Sequence, residues 1–152
     1  MGQLIAVSGT VLEKRFGDIV FVHGLDGNAR STWEIKNLVG SFWPEWLGAD
    51  LENVGMWSLD YDATSLAWKG SAMPLIDRAT NVLDLCSVYG VGSRPMLFIA
   101  HSMGGLLVKQ MLRIAKEYNN PVWTTFGYIP PAGAEGKLLS TPRRKNHGRG
   151  LT

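Results

Sequence analysis

Cysteine and histidine are scarce in this sequence, with one cysteine, Cys86, and three histidines among 152 residues. A single cysteine excludes an internal disulfide, and a buried, unreactive thiol is its ordinary role. The low cysteine content also favours a reducing compartment, so we expect a cytoplasmic protein. We predict no metal site and no cofactor.

Long apolar runs are also missing. No segment reaches the roughly 18 consecutive apolar residues that a membrane-spanning helix requires. The first six residues have neither the basic start nor the long apolar stretch of a secretion signal. We therefore expect no membrane span and no secretion signal.

Acidic residues are scarce near the end of the chain. Residues 124–152 contain five of the 15 Lys and Arg residues but only one acidic residue, Glu135. The isoelectric point near 8.8 reflects this basic segment rather than a basic face, so we predict no nucleic-acid partner. We expect residues 1–123 to be folded and residues 124–152 to form an irregular, disordered tail.

The most informative segment that is present runs from Ala100 to Gly105. An apolar strand, residues 95–99, leads into it, and residues 106–118 follow as a helix without Gly or Pro. Ser102 lies between the two, with small residues two positions before and two after it. Such a strand, turn and helix exposes a serine on strained backbone, as nucleophilic serines require.

A second apolar strand, residues 18–22, ends in His23, Gly24 and a glycine-containing loop. Strands alternate with helices along the chain, which predicts an α/β fold: a mostly parallel sheet in a three-layer sandwich. In such sheets ligands lie beyond the carboxyl ends of the strands, so the two loops should face one site. In the helix that begins at Pro74, periodicity places Ile76 on the buried side and Arg78 on the exposed side.

These segments resemble the α/β-hydrolase superfamily, and within it the lipase-like serine esterases related to serine-active-site-containing proteins and to GPI inositol-deacylases. The resemblance implies a partial α/β-hydrolase fold in which Ser102 attacks a carboxylic ester with an apolar acyl part. It implies that the backbone N–H groups of Met103 and Leu25 bind the oxyanion. Supporting positions are implied at His23, Gly24, His101, Gly104 and Gly105. Four stretches carry the likeness: residues 18–33, 57–62, the helix from 74, and 95–112.

The sequence departs from this family after Ser102. In the family, the catalytic acid and histidine follow the serine. Here the only histidine after Ser102 is His147, and the only acidic residue after Glu117 is Glu135. His147 lies in a basic stretch typical of a solvated tail, and no strand precedes Glu135. The chain thus looks like the first half of a hydrolase with impaired activity.

Such a half would leave the Ser102 strand without a neighbour on one side. We therefore expect an exposed sheet edge that favours self-association or a partner chain.

Three alternatives remain open. The first is a non-catalytic fragment that binds a partner or an acyl ligand through the same cleft. The second is that Ser102 occupies an ordinary tight turn and performs no chemistry. A dinucleotide-binding domain is a weak alternative, because Gly24, Gly27 and the Gly104-Gly105 pair do not form the required G-x-G-x-x-G spacing.

Overall fold

A computed structural model describes residues 2–63, 73–118 and 127–129 of the chain, and for the last three residues it describes the backbone only. The described residues form five strands and three helices. In chain order these are β1 (Gln3–Ser8), β2 (Gly17–Val22), α1 (Trp43–Asp50), β3 (Val54–Asp60), α2 (Leu75–Val88), β4 (Met96–Ala100), α3 (Gly104–Glu117) and β5 (Gly127–Ile129).

The strands form one sheet in the order β1-β3-β2-β4-β5. β3, β2, β4 and β5 run parallel to one another, whereas β1 pairs antiparallel with β3 at one edge. Val22 is level with Leu59 of β3 and with Ala100 of β4, so these three strands end side by side. The predicted α/β class and mostly parallel sheet are confirmed.

Alternate residues of each central strand face opposite sides of the sheet, as the pleat dictates. On one side α2 and α3 pack over Val20, Val22 and Phe98 in the larger core. On the other side, α1 and the segment before it cover Ile19 and Phe21 in a smaller core. Both faces of β2 are therefore buried along its whole length.

The two long helices fit the sequence pattern unequally. α3 buries residues 107, 111, 114 and 115 and exposes its basic residues, as the periodicity predicts. In α2 the prediction is wrong at two positions, because Ile76 is 53% exposed and Arg78 is buried. Arg78 turns inward because its guanidinium group has a carbonyl acceptor there, the backbone oxygen of Asp62.

The strand that leads to Ser102 is not an edge strand, so the prediction of an unpaired β4 edge is wrong. β5 pairs parallel with β4, with Leu97, Phe98 and Ile99 opposite residues 127, 128 and 129. This strand lies inside the range for which the sequence predicts irregular structure. The physical reason is that parallel neighbours in a sheet are distant in sequence, and local composition does not report them.

At the amino end of β2, a buried ion pair joins Arg15 to Asp18. Arg15 Nε lies 2.7 Å from Asp18 Oδ1, and Trp57 Nε1 donates to the same oxygen at 2.8 Å. The Arg15 guanidinium also donates to the carbonyl oxygens of Thr10 and Leu12, at 2.8 and 3.2 Å. This cluster ties the β1–β2 connection to the bottom of the sheet, because a buried charge requires its partner.

Candidate active site

Ser102 occupies the turn between β4 and α3. Its φ of +52° places it in the left-handed region, and its side chain is exposed. For a non-glycine residue that conformation costs about 1–2 kcal/mol, so the surrounding structure must impose it. The turn passes directly into the helix, since Gly104 N donates to His101 O and Gly105 N donates to Ser102 O, both at 3.0 Å.

Gly24 lets the loop after β2 pack directly against the Ser102 turn. A Cβ atom on Gly24 would lie 2.7 Å from Ser102 Cβ, 2.8 Å from His101 O and 3.2 Å from Met103 N. Distances under 3.0 Å exclude any side chain at this position unless the backbone moves. The two loops that the sequence analysis assigned to one site therefore touch through their main chains.

Gly104 permits a similar approach between α3 and β2. A Cβ atom there would lie 2.4 Å from Val22 O and 2.5 Å from His23 O. His101 N also donates to Val22 O at 2.9 Å. The Ser102 turn is consequently fixed to the end of β2 by a hydrogen bond and by close packing. Gly105, the next residue, is likewise buried.

His23 is fully buried beneath this contact, and both of its ring nitrogens have neighbours. Nδ1 lies 2.9 Å from Gly24 O, and Tyr61 N donates to Nε2 at 3.4 Å. We assign the tautomer with the proton on Nδ1, because one carbonyl acceptor and one N–H donor face the ring. Asp60 Oδ1 lies 3.7 Å from Nε2 and forms an ion pair only with a protonated ring.

Tyr61 is the residue of this site that sequence reasoning missed. It follows β3, its hydroxyl donates to His23 O at 2.7 Å, and its ring stacks on the His23 ring with centroids 4.5 Å apart. Burial raises the pKa of Tyr61 to about 12, an effect that Arg78 partly opposes. The sequence contained one signal for Tyr61, the end of an apolar strand at Asp60. That signal points to the site only when β3 is known to pair beside β2.

The remaining predicted residues lie around the turn. Met103 is half-buried and precedes the first residue of α3, while Leu25 is exposed and follows Gly24. His101 is exposed next to Ser102. Asp26, in the same loop as Leu25, has a φ of +57°. Leu25 and Met103, the two residues predicted to bind the oxyanion, therefore lie on the two sides of the contact between the Gly24 loop and the Ser102 turn.

The later acid and histidine of the sequence analysis, Glu135 and His147, lie outside the described residues. Within residues 2–63 and 73–118, His23 and His101 are the histidines. His23 is turned into the core. No group of three His, Cys, Asp or Glu residues in the described part of the chain is arranged to hold a metal ion. None of the helices found there has the length and apolar character needed to cross a membrane.

The chain resembles Protein SERAC1. It is 38% identical to the Danio rerio protein over 116 residues, which cover 62% of this chain and 18% of the relative. It is 33% identical to the Mus musculus protein over 134 residues, which cover 74% and 20%, and 33% identical to the Homo sapiens protein over 114 residues, which cover 62% and 17%. No protein-family model matches the chain.

The chain spans about a fifth of the length of the SERAC1 proteins that it matches. This likeness is consistent with the resemblance to serine-active-site-containing proteins that the sequence indicates. Assignment to the α/β-hydrolase superfamily, and the resemblance to GPI inositol-deacylases, stay predictions.

Proposed function

We propose that this chain carries the nucleophile and the oxyanion-binding groups of a serine hydrolase that acts on carboxylic esters. The observation that carries the proposal is the left-handed, exposed Ser102 at a strand-to-helix turn, with the Gly24 loop packed against it. A nucleophile elbow requires this combination, because the hydroxyl must project above the sheet and the oxyanion donors must surround it. The similarity to SERAC1 supports the proposal.

In the proposed reaction the Ser102 oxygen attacks the ester carbonyl carbon. The C–O bond to the alcohol then breaks, and the alcohol leaves with the proton that Ser102 gave up. Water hydrolyses the acyl-enzyme and returns the proton to serine. The backbone N–H groups of Met103 and Leu25 stabilise the oxyanion, and the amino end of α3 adds a partial positive charge there.

The proposed substrate is an ester or lipid-like molecule with an apolar acyl part. Leu25, beside Gly24, is 38% exposed, and Leu106, in the first turn of α3, is 46% exposed. Exposed leucines in the segments that follow Gly24 and Ser102 favour an apolar group over a charged one.

A second candidate function is binding without catalysis, through the same cleft. The observation that favours it is the placement of the histidines in the described part of the chain. His23 is buried with its ring nitrogens engaged, and His101 adjoins Ser102 on the same turn, so neither is assigned as the base. Without a base, serine is a poor nucleophile.

Labelling with a fluorophosphonate distinguishes the two functions. In this reaction the Ser102 oxygen bonds to phosphorus, the P–F bond breaks, fluoride leaves and the hydroxyl proton passes to the base or to solvent. We expect one label per chain in the natural sequence, none in Ser102→Ala, and full labelling in Ser93→Ala, an exposed serine on another loop. An unlabelled natural chain would rule out the hydrolase and favour binding.

A further inference from the structure

We infer that Tyr61 is a positioning residue for the Gly24–Leu25 peptide group, acting through the His23 imidazole and carbonyl. The inference rests on the proposed function in one respect, namely that the Leu25 N–H is an oxyanion donor. Tyr61 itself lies behind the loop and is buried, so it does not contact substrate.

The orientation of the Leu25 N–H is set by the carbonyl of the same peptide group. Gly24 O accepts hydrogen bonds from His23 Nδ1 at 2.9 Å and from Gly27 N at 3.3 Å. In a planar trans peptide the N–H points opposite to the C=O. The two donors to Gly24 O therefore fix the direction in which the Leu25 N–H points.

His23 can serve as that donor only when Nδ1 carries the proton. Tyr61 favours this tautomer because its backbone N–H faces Nε2 at 3.4 Å and needs an acceptor there. The stacked Tyr61 ring, tilted 25° from the imidazole plane, restricts rotation of the His23 side chain. One residue thus controls both the tautomer and the position of the imidazole.

The Tyr61 hydroxyl holds the preceding peptide group as well. It donates to His23 O at 2.7 Å, so consecutive carbonyls, those of His23 and Gly24, are both hydrogen-bonded. The phenol is protonated at neutral pH, and burial raises its pKa further, to about 12, so the hydroxyl remains a donor.

α2 holds Tyr61 in place through Arg78. The guanidinium carbon of Arg78 lies 5.9 Å from the centre of the Tyr61 ring, and the same side chain donates to the carbonyl of Asp62. Arg78 therefore holds both the backbone that follows Tyr61 and the Tyr61 ring itself. The support for the Leu25 peptide extends from α2 through β3 to the loop after β2.

The first test needs no variant and no activity. We expect ¹⁵N chemical shifts of the His23 imidazole in the natural chain at pH 8 to show a protonated Nδ1 and an unprotonated Nε2. Asp60, whose carboxylate lies 3.7 Å from Nε2, would favour a proton on that nitrogen. A proton on Nε2 at this pH would overturn the inference.

The second test compares Tyr61→Phe with Tyr89→Phe. Tyr89 packs against Trp57 at the far end of α2 and is 43% exposed, so its variant loses the same atom away from the site. We expect Tyr61→Phe to lower the maximal rate of fluorophosphonate labelling about 10-fold, in line with one weakened oxyanion donor, while the half-saturating concentration stays within about twofold. Equal maximal rates in Tyr61→Phe and the natural chain would overturn the inference.

A readout independent of labelling separates this inference from the proposed function. The Gly27 N–H bonds to Gly24 O, so its hydrogen exchange reports the same peptide group. We expect exchange of Gly27 N–H to be about 10-fold faster in Tyr61→Phe, with Tyr89→Phe unchanged. If the natural chain is not labelled but this exchange changes, the hydrolase proposal fails and the positioning role stands. Unchanged exchange would overturn the positioning role.

Discussion

The two ends of β2 contain buried polar groups of different kinds. At the amino end, Asp18 and Arg15 form an ion pair that Trp57 completes. At the carboxyl end, His23 and Tyr61 form a hydrogen-bonded, stacked network around backbone carbonyls. The amino end stabilises the fold, whereas the carboxyl end orients main-chain groups beside an exposed serine. Variants at the two ends should therefore alter different properties.

The largest effect is expected at the amino end. Asp18→Asn leaves a buried guanidinium without its counter-charge, so we expect a loss of about 3 kcal/mol in the free energy of unfolding. Labelling of Ser102 in the folded fraction should not change. Chemical denaturation followed by Trp fluorescence measures the loss.

Arg113→Met, which breaks the exposed Arg113–Glu117 pair, is the matched control and should cost about 0.5 kcal/mol or less. The double variant Arg15→Met/Asp18→Asn should lose less than the two single variants together, because neither charge is left alone. Strict additivity would show that the pair is not the stabilising unit.

At the carboxyl end, Gly24→Ala should slow the labelling of Ser102, which Asp18→Asn at the amino end should leave unchanged. The added methyl group would meet Ser102 Cβ and His101 O, so the loop and the turn must separate. We expect labelling to slow about 100-fold, the effect of a displacement of roughly 1 Å. Labelling kinetics of the folded protein measure the effect.

Gly40→Ala is the control for this variant, since it adds the same methyl group where nothing lies within 4 Å, on a backbone with φ of +76°. Because an L side chain is strained at this φ, the variant should lose some stability, but it should keep its labelling rate. If Gly24→Ala labelled at the natural rate, the close contact of the two loops would be irrelevant to reactivity.

A smaller effect is expected from the strain at Ser102. Ser102→Gly and Ser102→Ala both remove the hydroxyl, but only glycine adopts a φ of +52° without steric conflict. We expect the glycine variant to be more stable than the alanine variant by about 1 kcal/mol. Melting temperatures of the pair measure this difference. At Ser93, we expect the alanine variant to be at least as stable as the glycine variant. If the glycine variant were the more stable one at both positions, backbone strain at Ser102 would not be the explanation.

The effect that is smallest at neutral pH is the dependence of stability on alkaline pH. Burial, reinforced by the charge of Asp18, raises the pKa of Cys86 from 9.0 to about 12. The folded state therefore retains a proton that the unfolded state loses, and stability should fall as the pH rises from 9 towards 12. Cys86→Ala should flatten this part of the curve, whereas Tyr61→Phe should flatten it only above pH 10, the ordinary pKa of tyrosine. Chemical denaturation at several pH values measures how steeply the free energy of unfolding falls with pH. Parallel curves for the natural chain and the two variants would contradict the assignment of this fall to Cys86 and Tyr61.

Local patterns were sufficient to predict part of the fold and the centre of the site. Uniform apolar runs predicted β2 and β4, because strands buried on both faces carry no alternation, and small residues around Ser102 predicted its turn. The same patterns could not predict β5, Tyr61 or the inward Arg78. Each depends on a neighbour distant in sequence: β4 for β5, His23 for Tyr61, and the carbonyl of Asp62 for Arg78. For the rest of the predicted tail, residues 124–126 and 130–152, disorder stays a prediction.

The absence of side chains at Gly24 and Gly104 has a consequence for how the surface around Ser102 can diversify. At these two positions main chains approach too closely for a Cβ atom, and substitution of neighbouring residues can hardly change that contact. Leu25 and Leu106, by contrast, are exposed and free to vary. Laboratory selection for new ligands should therefore accumulate changes at the two leucines and leave the two glycines intact.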